Sequence, residues 1–312
     1  MRITNKMLSN NFLRDNKTNL NNLSTLQTQM ATGKQIRKAS DDPAKASKIM
    51  RIYSDIDANK QYNSNIKNTT TWLDMTDTAL GQVGNVATRI QELLVSAGDA
   101  GHGVDERGAI KDEINQKVGE LSQILNTTFD GKYIFGGTRG DVKPTAAIES
   151  STSNTPLTLT TEIPAELNQI GSKLSVEVSQ GVTMEYNVTA TEVISNGGGT
   201  NLSDLLNNIT GHLDSTDATQ IAELNGADLT GIQAVMTNVL KLRSEVGAKQ
   251  NRMDSALDRN EDQNTNMTEV LTSIEDIDIT EKAMEYATMQ TVYTASLQTS
   301  AKVLQPSLLD YL

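Results

Sequence analysis

One run near the C-terminus constrains this chain more than any other feature. Ile232, Val235, Val239, Leu242, Val246, Lys249, Met253, Ala256, Asn260, Gln263, Met267, Val270 and Ile274 alternate at spacings of three and four, with no proline among them. That repeat sets one residue on a single helical seam every half-heptad. A helix of about 45 residues would be roughly 65–70 Å long, a rod that few compact domains contain. Asn260 and Gln263 make the seam polar in its middle, which costs stability and fixes register. Val239, Leu242, Val246 and Met253 are the expected core of this rod.

A second long stripe lies upstream. Trp72, Thr76, Ala79, Val83, Val86, Ile90, Leu93 and Ala97 follow a 4-3 spacing that ends at Gly98 and Gly101–Gly103. Ile110, Ile114, Val118, Leu121 and Leu125 form another. A helical hairpin over about 60–128 follows, packed into an intramolecular bundle with Trp72, Val83, Val86 and Ile90 in its core.

The two ends carry weaker stripes. Leu13, Leu20, Leu23, Leu26 and Met30 lead to Gly33, with Asn and Thr between them. An isolated helix there would be marginal. After the acidic break Glu275-Asp276-Ile277-Asp278 come Ala283, Ala287, Gln290, Thr294, Leu297, Ala301, Leu304 and Leu308. The small residues of this stripe bury little area, at about 25 cal/mol per Å², against ordering costs of ~1–2 kcal/mol per residue. Both ends are therefore expected to order on packing against something else.

Between the arms the texture changes. Pro144, Pro156 and Pro164 fall in one stretch, and helix interiors exclude proline. Leu157–Thr160, Leu174–Val178 and Met184–Val188 alternate with period two, a strand signal, and Asn196–Gly199 reads as a turn. The expected architecture is mainly α with a small β insert. The N- and C-terminal segments form long antiparallel helical arms, and an outer, mostly β domain lies between them. The expected partition is 1–45 with 280–312 as terminal helices, 46–130 with 226–279 as a helical rod, and 131–225 as the β-rich insert.

Chemistry is sparse. The formal charge of −12 makes the chain a poor partner for nucleic acid or anionic membranes, which need clustered cations. Without cysteine there is no disulfide, thiolate or zinc ribbon. The histidines, His102 and His212, lie too far apart for a local metal motif, and no cofactor or metal is expected. No stretch approaches the ~20 apolar residues of a membrane span, and the N-terminus has no apolar signal region. Asp41-Asp42 before Pro43 reads as a helix cap, and Glu275, Asp276 and Asp278 as a solvated acidic turn. Arg139-Gly140-Asp141 matches an adhesion tripeptide by letter alone. An enzyme in the insert would need two carboxylates about 5–10 Å apart. Glu162, Glu166, Glu177 and Glu185 are the local candidates, and nothing in their spacing suggests a site, so no catalysis is expected.

Three segments together resemble a known family. Thr32-Gly33-Lys34 with Ile36, then Lys38-Ala39-Ser40-Asp41-Asp42-Pro43-Ala44, resembles the N-terminal signature shared by bacterial flagellins and FlgL-type hook–filament junction proteins. Gly131-Lys132-Tyr133-Ile134-Phe135-Gly136-Gly137 is similar to the segment where that family leaves its helical hairpin for the outer domain. The run Val246 to Met253, with Gly247, Asn251 and Arg252, resembles the start of its long C-terminal helix. The likeness covers about 1–140 and 230–312. Pro43, the start Met1-Arg2-Ile3-Thr4 and the ending Pro306–Leu312 favour the junction type, with a minor flagellin as the alternative. The resemblance implies export through the flagellar type III apparatus without a cleaved signal, and an extracellular place in the flagellum. Implied partners are the first hook-associated protein, flagellin, a FlgN-like export chaperone and copies of the chain in a ring. It also implies that the terminal helices, through Leu13, Leu20, Leu23, Met30, Ala287, Thr294, Leu297, Ala301, Leu304 and Leu308, form the assembly interface.

Overall fold

The computed structural model describes residues 5–98, 103–148, 154–161, 164–195 and 201–303. The chain is mainly α with a small β insert. Helices α1 (Asn5–Thr32), α2 (Pro43–Ala97) and α3 (Val104–Leu125) come first. A short hairpin, β1 (Thr128–Phe129) and β2 (Lys132–Tyr133), leads to β3 (Thr145–Ala147), β4 (Leu157–Leu159) and α4 (Pro164–Ile170). Then follow β5 (Ser175–Ser179), β6 (Val182–Glu185), α5 (Ala190–Ile194), α6 (Leu202–Asp214) and α7 (Ala218–Glu223). A π-helical turn, Leu224–Asp228, opens directly into α8 (Leu229–Glu275), and α9 (Ile279–Val303) ends the described chain. Strands pair β1–β2, β3–β4 and β5–β6, each an antiparallel two-stranded sheet. The chain divides into two compact units, 59–261 and the two ends, up to 58 and from 262 on.

The unit 59–261 has a continuous apolar core. Every member of the Trp72–Ala97 stripe is buried, and so are Ile114, Val118, Leu121 and Leu125 of α3. α8 runs antiparallel to α2 and supplies Ile232, Val235, Val239, Leu242, Val246 and Met253. Gly84 presents no side chain to Val239, whose Cγ1 would lie 3.8 Å from a Cβ there. Outside the seam Arg243 grips Asp77 through two hydrogen bonds of 2.8 and 3.0 Å, and Gln250 Nε2 donates to Asp74 at 2.7 Å. Trp72 meets Phe129 and Tyr186 edge-to-face, with ring centroids 5.9 and 5.8 Å away. Its place is the core, where it joins α2 to the first hairpin and to the segment after β6.

Three features depart from the sequence expectation. The α8 seam does not hold one phase. After Asn260 it passes to Asn264, Met267, Leu271 and Ile274, while Gln263 and Val270 turn outward. Four heptads separate Ile232 from Asn260, and a 3.6-residue helix drifts ~20° per heptad against a strict repeat. The accumulated drift is nearly one residue, so the seam takes a 3-4-4 step. Pro164 does not exclude helix: it is the first residue of α4, where its missing N–H costs nothing. Glu275 is not part of a solvated turn but is buried.

The insert is built on tight turns. Asp130 and Gly131 both have positive φ, 51° and 74°, as the two-residue hairpin of β1–β2 requires. Leu157–Thr160 and Leu174–Val178 supply β4 and β5, but of Met184–Val188 only Met184 and Glu185 lie in a strand, β6, which begins two residues earlier at Val182. β3, α4 and α5 carry no comparable periodic signal.

Candidate assembly interface

The terminal helices α1 and α9 pack against each other, antiparallel, in the unit formed by the two chain ends. On α1 the half-buried seam is Phe12, Asn16, Asn19, Leu23, Leu26 and Met30; on α9 it is Lys282, Ala283, Tyr286, Met289, Tyr293 and Ser296, Ala283 being a member of the expected stripe. Ser296 Oγ donates to Asn16 Oδ1 across the pair. Among the described residues, none in either helix is fully buried. Two helices alone leave their flanks in solvent, and half the seam positions of α1 and α9 are polar or phenolic.

This seam sits one residue away from the expected stripes. Leu23, Leu26 and Met30 lie in it, but Leu13 and Leu20 are 56 % and 47 % exposed, displaced by Phe12 and Asn19. On α9, Ala287, Thr294, Leu297 and Ala301 are exposed, one position beyond Tyr286, Tyr293 and Ser296. Leu304 and Leu308 lie outside the described residues. Choosing the aliphatic residue over an adjacent Asn, Tyr or Ser hides the true phase, because the intramolecular seam uses the more polar neighbours. Each helix therefore keeps large apolar side chains outside its seam. Leu13 and Leu20 on α1, and Met284, Val292 and Leu297 on α9, are exposed side chains with no internal seam to fill.

The segment joining α1 to α2 is held by backbone and side-chain contacts. Gly33 ends α1 in the left-handed region, φ 71°. Gln35 N donates to Glu275 O at 2.6 Å, and Ile277 N donates to Gly33 O at 3.1 Å. Over these contacts Lys34 Nζ donates to Glu275 Oε1 at 2.6 Å, and Tyr53 OH donates to Glu275 Oε2 at 2.7 Å. The carboxylate, then the phenol, hold the Lys34 ammonium well above the usual lysine range. Ile36 enters a small core with Ala46, Ile49, Ile52, Ile56 and Leu271.

The Ser40-Asp41-Asp42-Pro43 motif is a cap, as its spacing predicts. Asp41 Oδ2 accepts from Lys38 N at 3.0 Å and Arg37 N at 3.3 Å, closing a turn that leaves Ser40 exposed. Those N–H groups hold the Asp41 carboxyl below the usual range, Lys38 first. Asp42 Oδ1 accepts from Lys45 N at 3.0 Å and Ala44 N at 3.1 Å, and Pro43 is the first residue of α2.

The second motif is a packing device. Ile134 and Phe135 are fully buried, and Phe135 O accepts from Ala190 N at 2.9 Å. Tyr133 is half-buried in β2, its N–H bonded to Gly140 O at 2.8 Å. Gly136 and Gly137 admit no side chain: a Cβ at Gly137, φ 60°, would collide with the carbonyls of Gln169 and Ile170. The third motif has no such account. Nothing lies within 4 Å of a Cβ at Gly247, and Asn251 and Arg252 are exposed.

Candidate catalytic groups are occupied elsewhere. Arg139 of the adhesion-like tripeptide pairs with Glu166 at 3.1 Å and donates to Thr160 O at 3.0 Å. Glu177 Oε1 accepts from Gly181 N at 2.9 Å. Glu185 lies on an open groove beside Lys249 and Arg252. Glu162 and His102 lie outside the described residues. His212 Nδ1 meets the buried Asp228 Oδ2 at 2.6 Å. Burial pushes the Asp228 carboxyl up, and His212 offsets part of that. Among the described residues no group of three His, Cys, Asp or Glu could hold a metal, and no helix is long and apolar enough to cross a membrane.

Comparison with known proteins follows the two arms. The bacterial flagellin N-terminal helical region matches residues 3–139, and the bacterial flagellin C-terminal helical region matches 229–312. The chain is 25 % identical to flagellar hook-associated protein 3 of Escherichia coli over 86 % of both chains. It is 22 % identical to flagellin of Bacillus subtilis over 92 % of this chain and 90 % of that one. The crystal structure of flagellar hook-associated protein 3 from Legionella pneumophila shares the fold, with a TM-score of 0.61 at 12 % identity, over 72 % of this chain and 98 % of that one.

Proposed function

The chain belongs to the bacterial flagellin family through both helical arms, and on that premise we propose that it is a structural adaptor joining the flagellar hook to the filament. The observation that carries the reading is the terminal pair. α1 and α9 present seams to each other, bury none of them fully, and keep further large apolar side chains exposed. Such a pair completes its burial on neighbouring subunits. Contacts of this kind between different faces do not close within a ring but continue as a lattice.

In this reading the chain leaves the cell through the flagellar type III apparatus, escorted by a FlgN-like chaperone. Residues 1–45 with 280–312 form the inner tube, 46–130 with 226–279 the rod around it, and 131–225 the outer face. One end of the ring of copies fits the first hook-associated protein, and the other accepts flagellin. Relatives that are structural proteins of the flagellum fit a chain that performs no catalysis. Likeness to hook-associated protein 3 over 86 % of both chains, together with the Asp42-Pro43 cap, supports the adaptor. The comparable likeness to a flagellin supports the alternative, a minor flagellin that polymerises into filament.

The test is a deletion strain viewed by electron microscopy, with its medium assayed for flagellin. Bare hooks and unpolymerised flagellin in the medium are expected. Normal filaments on normal hooks would reject the adaptor, and purified chain that extends filament seeds alone would establish the flagellin.

A further inference from the structure

The charge of the unit formed by the chain ends is unevenly placed. The whole chain carries −12, yet residues 34–51 hold Lys34, Arg37, Lys38, Lys45, Lys48 and Arg51 against Asp41 and Asp42. Lys34 is taken by Glu275. The other five cations are exposed, and among the described residues none forms a side-chain ion pair. Asp41 and Asp42 spend their carboxylates on backbone N–H groups of the same segment. Beside these cations runs an open groove of about 570 Å³, walled by the Ser24, Thr28 and Thr32 face of α1.

The complement lies on the outward face of α8. Asp262 and Glu269, then Asp276 just past the helix end, are spaced seven residues apart. All three are exposed, while Leu271 on the opposite side is buried. Heptad spacing keeps them on one line, with successive charges about 10 Å apart. They too form no side-chain ion pair among the described residues. One molecule thus exposes a basic segment and an acidic line and pairs neither with the other.

We propose that the basic segment 37–51 docks onto the acidic line Asp262–Glu269–Asp276 of a second copy of this chain. The proposal rests on the reading of the chain as an assembling flagellar subunit and names the charge contact between its neighbours. Like faces repel and unlike faces attract, so the contact joins two different faces, and in a subunit lattice that continues it runs head-to-tail. It steers incoming copies into one register before apolar surface is buried.

The absence of cysteine makes a direct test available. Lys38→Cys and Glu269→Cys are introduced together and singly, and isolated flagella are oxidised and run on non-reducing gels. The double variant is expected to give a ladder of covalent dimers and higher oligomers, and each single variant monomers. A double variant that gives only monomers, or only a faster-migrating internally cross-linked chain, overturns the proposal. So do dimers of equal yield from a single variant.

A charge swap tests the same contact without cross-linking. Arg37→Glu with Lys38→Glu, or Asp262→Lys with Glu269→Lys, should each cut attached filaments on the order of tenfold. Secretion is matched by immunoblot and folding by circular dichroism. Co-expression of the two variants should restore attachment, because each then meets the opposite charge on the other. Unchanged attachment in either variant, or no restoration, refutes the contact. A ladder found in a strain whose deletion leaves normal filaments would keep the contact and reject the junction reading; bare hooks without a ladder would do the reverse.

Discussion

The 59–261 core and the terminal pair α1/α9 are both built on heptad-spaced helices, and they finish differently. In the core, α2, α3 and α8 meet on several sides, and the hairpin and short helices of the insert close over them, so seam residues such as Val83, Ile114 and Val246 lose all contact with water. In the terminal pair the same spacing joins only two helices, and Leu23, Leu26 and Met289 stay half-buried. Periodicity therefore specifies which residues face a partner. It does not specify whether enough partners lie in the same chain. Where they do, the seam is a core; where they do not, it is half of an interface.

The largest expected effect separates the two regions by stability. Val246→Asp places a charge at a fully buried position and should cost about 3–5 kcal/mol, read as a lower melting temperature by circular dichroism. A variant that melts like the parent would break the distinction. A smaller and local effect is expected at the linker. Glu275→Gln removes the ion pair with the partly exposed Lys34 and should cost about 1 kcal/mol. Hydrogen exchange should speed up at Gln35 and Ile277 while the 59–261 core is unchanged; uniform exchange would contradict a local latch.

Acid should act on the two regions with opposite sign. Asp41, held below its usual range by backbone N–H groups, adds stability above its unfolded-state pKa that is lost as pH falls through its folded value. Asp228, pushed up by burial, costs stability at neutral pH, and that cost is relieved as pH falls through its folded value. In urea unfolding at successively lower pH, the parent's advantage over Asp41→Ala should shrink. The difference between the parent and Asp228→Asn should move in the parent's favour. Slopes of equal sign would remove this part of the comparison. The smallest effect on the free chain belongs to Leu297→Glu. At an exposed position it should change monomer stability by no more than about 0.5 kcal/mol, yet abolish filament attachment. If attachment survives, the side of α9 that carries Leu297 is not part of the interface.

What the sequence showed of the fold follows the same division. The Trp72–Ala97 stripe and Ile232 to Met253 were legible because their apolar residues are dense and packed on several sides. The phase beyond Asn260 was not, because a strict heptad rule ignores the drift of a real helix. The α1/α9 seam was missed by one residue at Leu20, Ala287, Thr294 and Leu297, since Asn19, Tyr286, Tyr293 and Ser296 outrank those neighbours in the fold but not in the expected apolar stripe. Asp42-Pro43 was readable as a cap because both residues act within one turn of themselves. Glu275 was not, because its partners Lys34 and Tyr53 lie more than two hundred residues away in sequence.

The asparagine in the middle of α8 has a consequence beyond local bonding. Asn59 Nδ2 donates to Asn260 O at 2.8 Å, and Asn260 Nδ2 donates to Val178 O at 2.8 Å. An apolar heptad seam is a ruler without numerals: a slide by one repeat matches apolar to apolar and moves one helix by about 10 Å. Asn59 and Asn260 supply the numeral. A slide by one repeat would part Asn260 from Val178 O and leave its amide in an apolar seam, so within 59–261 α2 and α8 have one alignment.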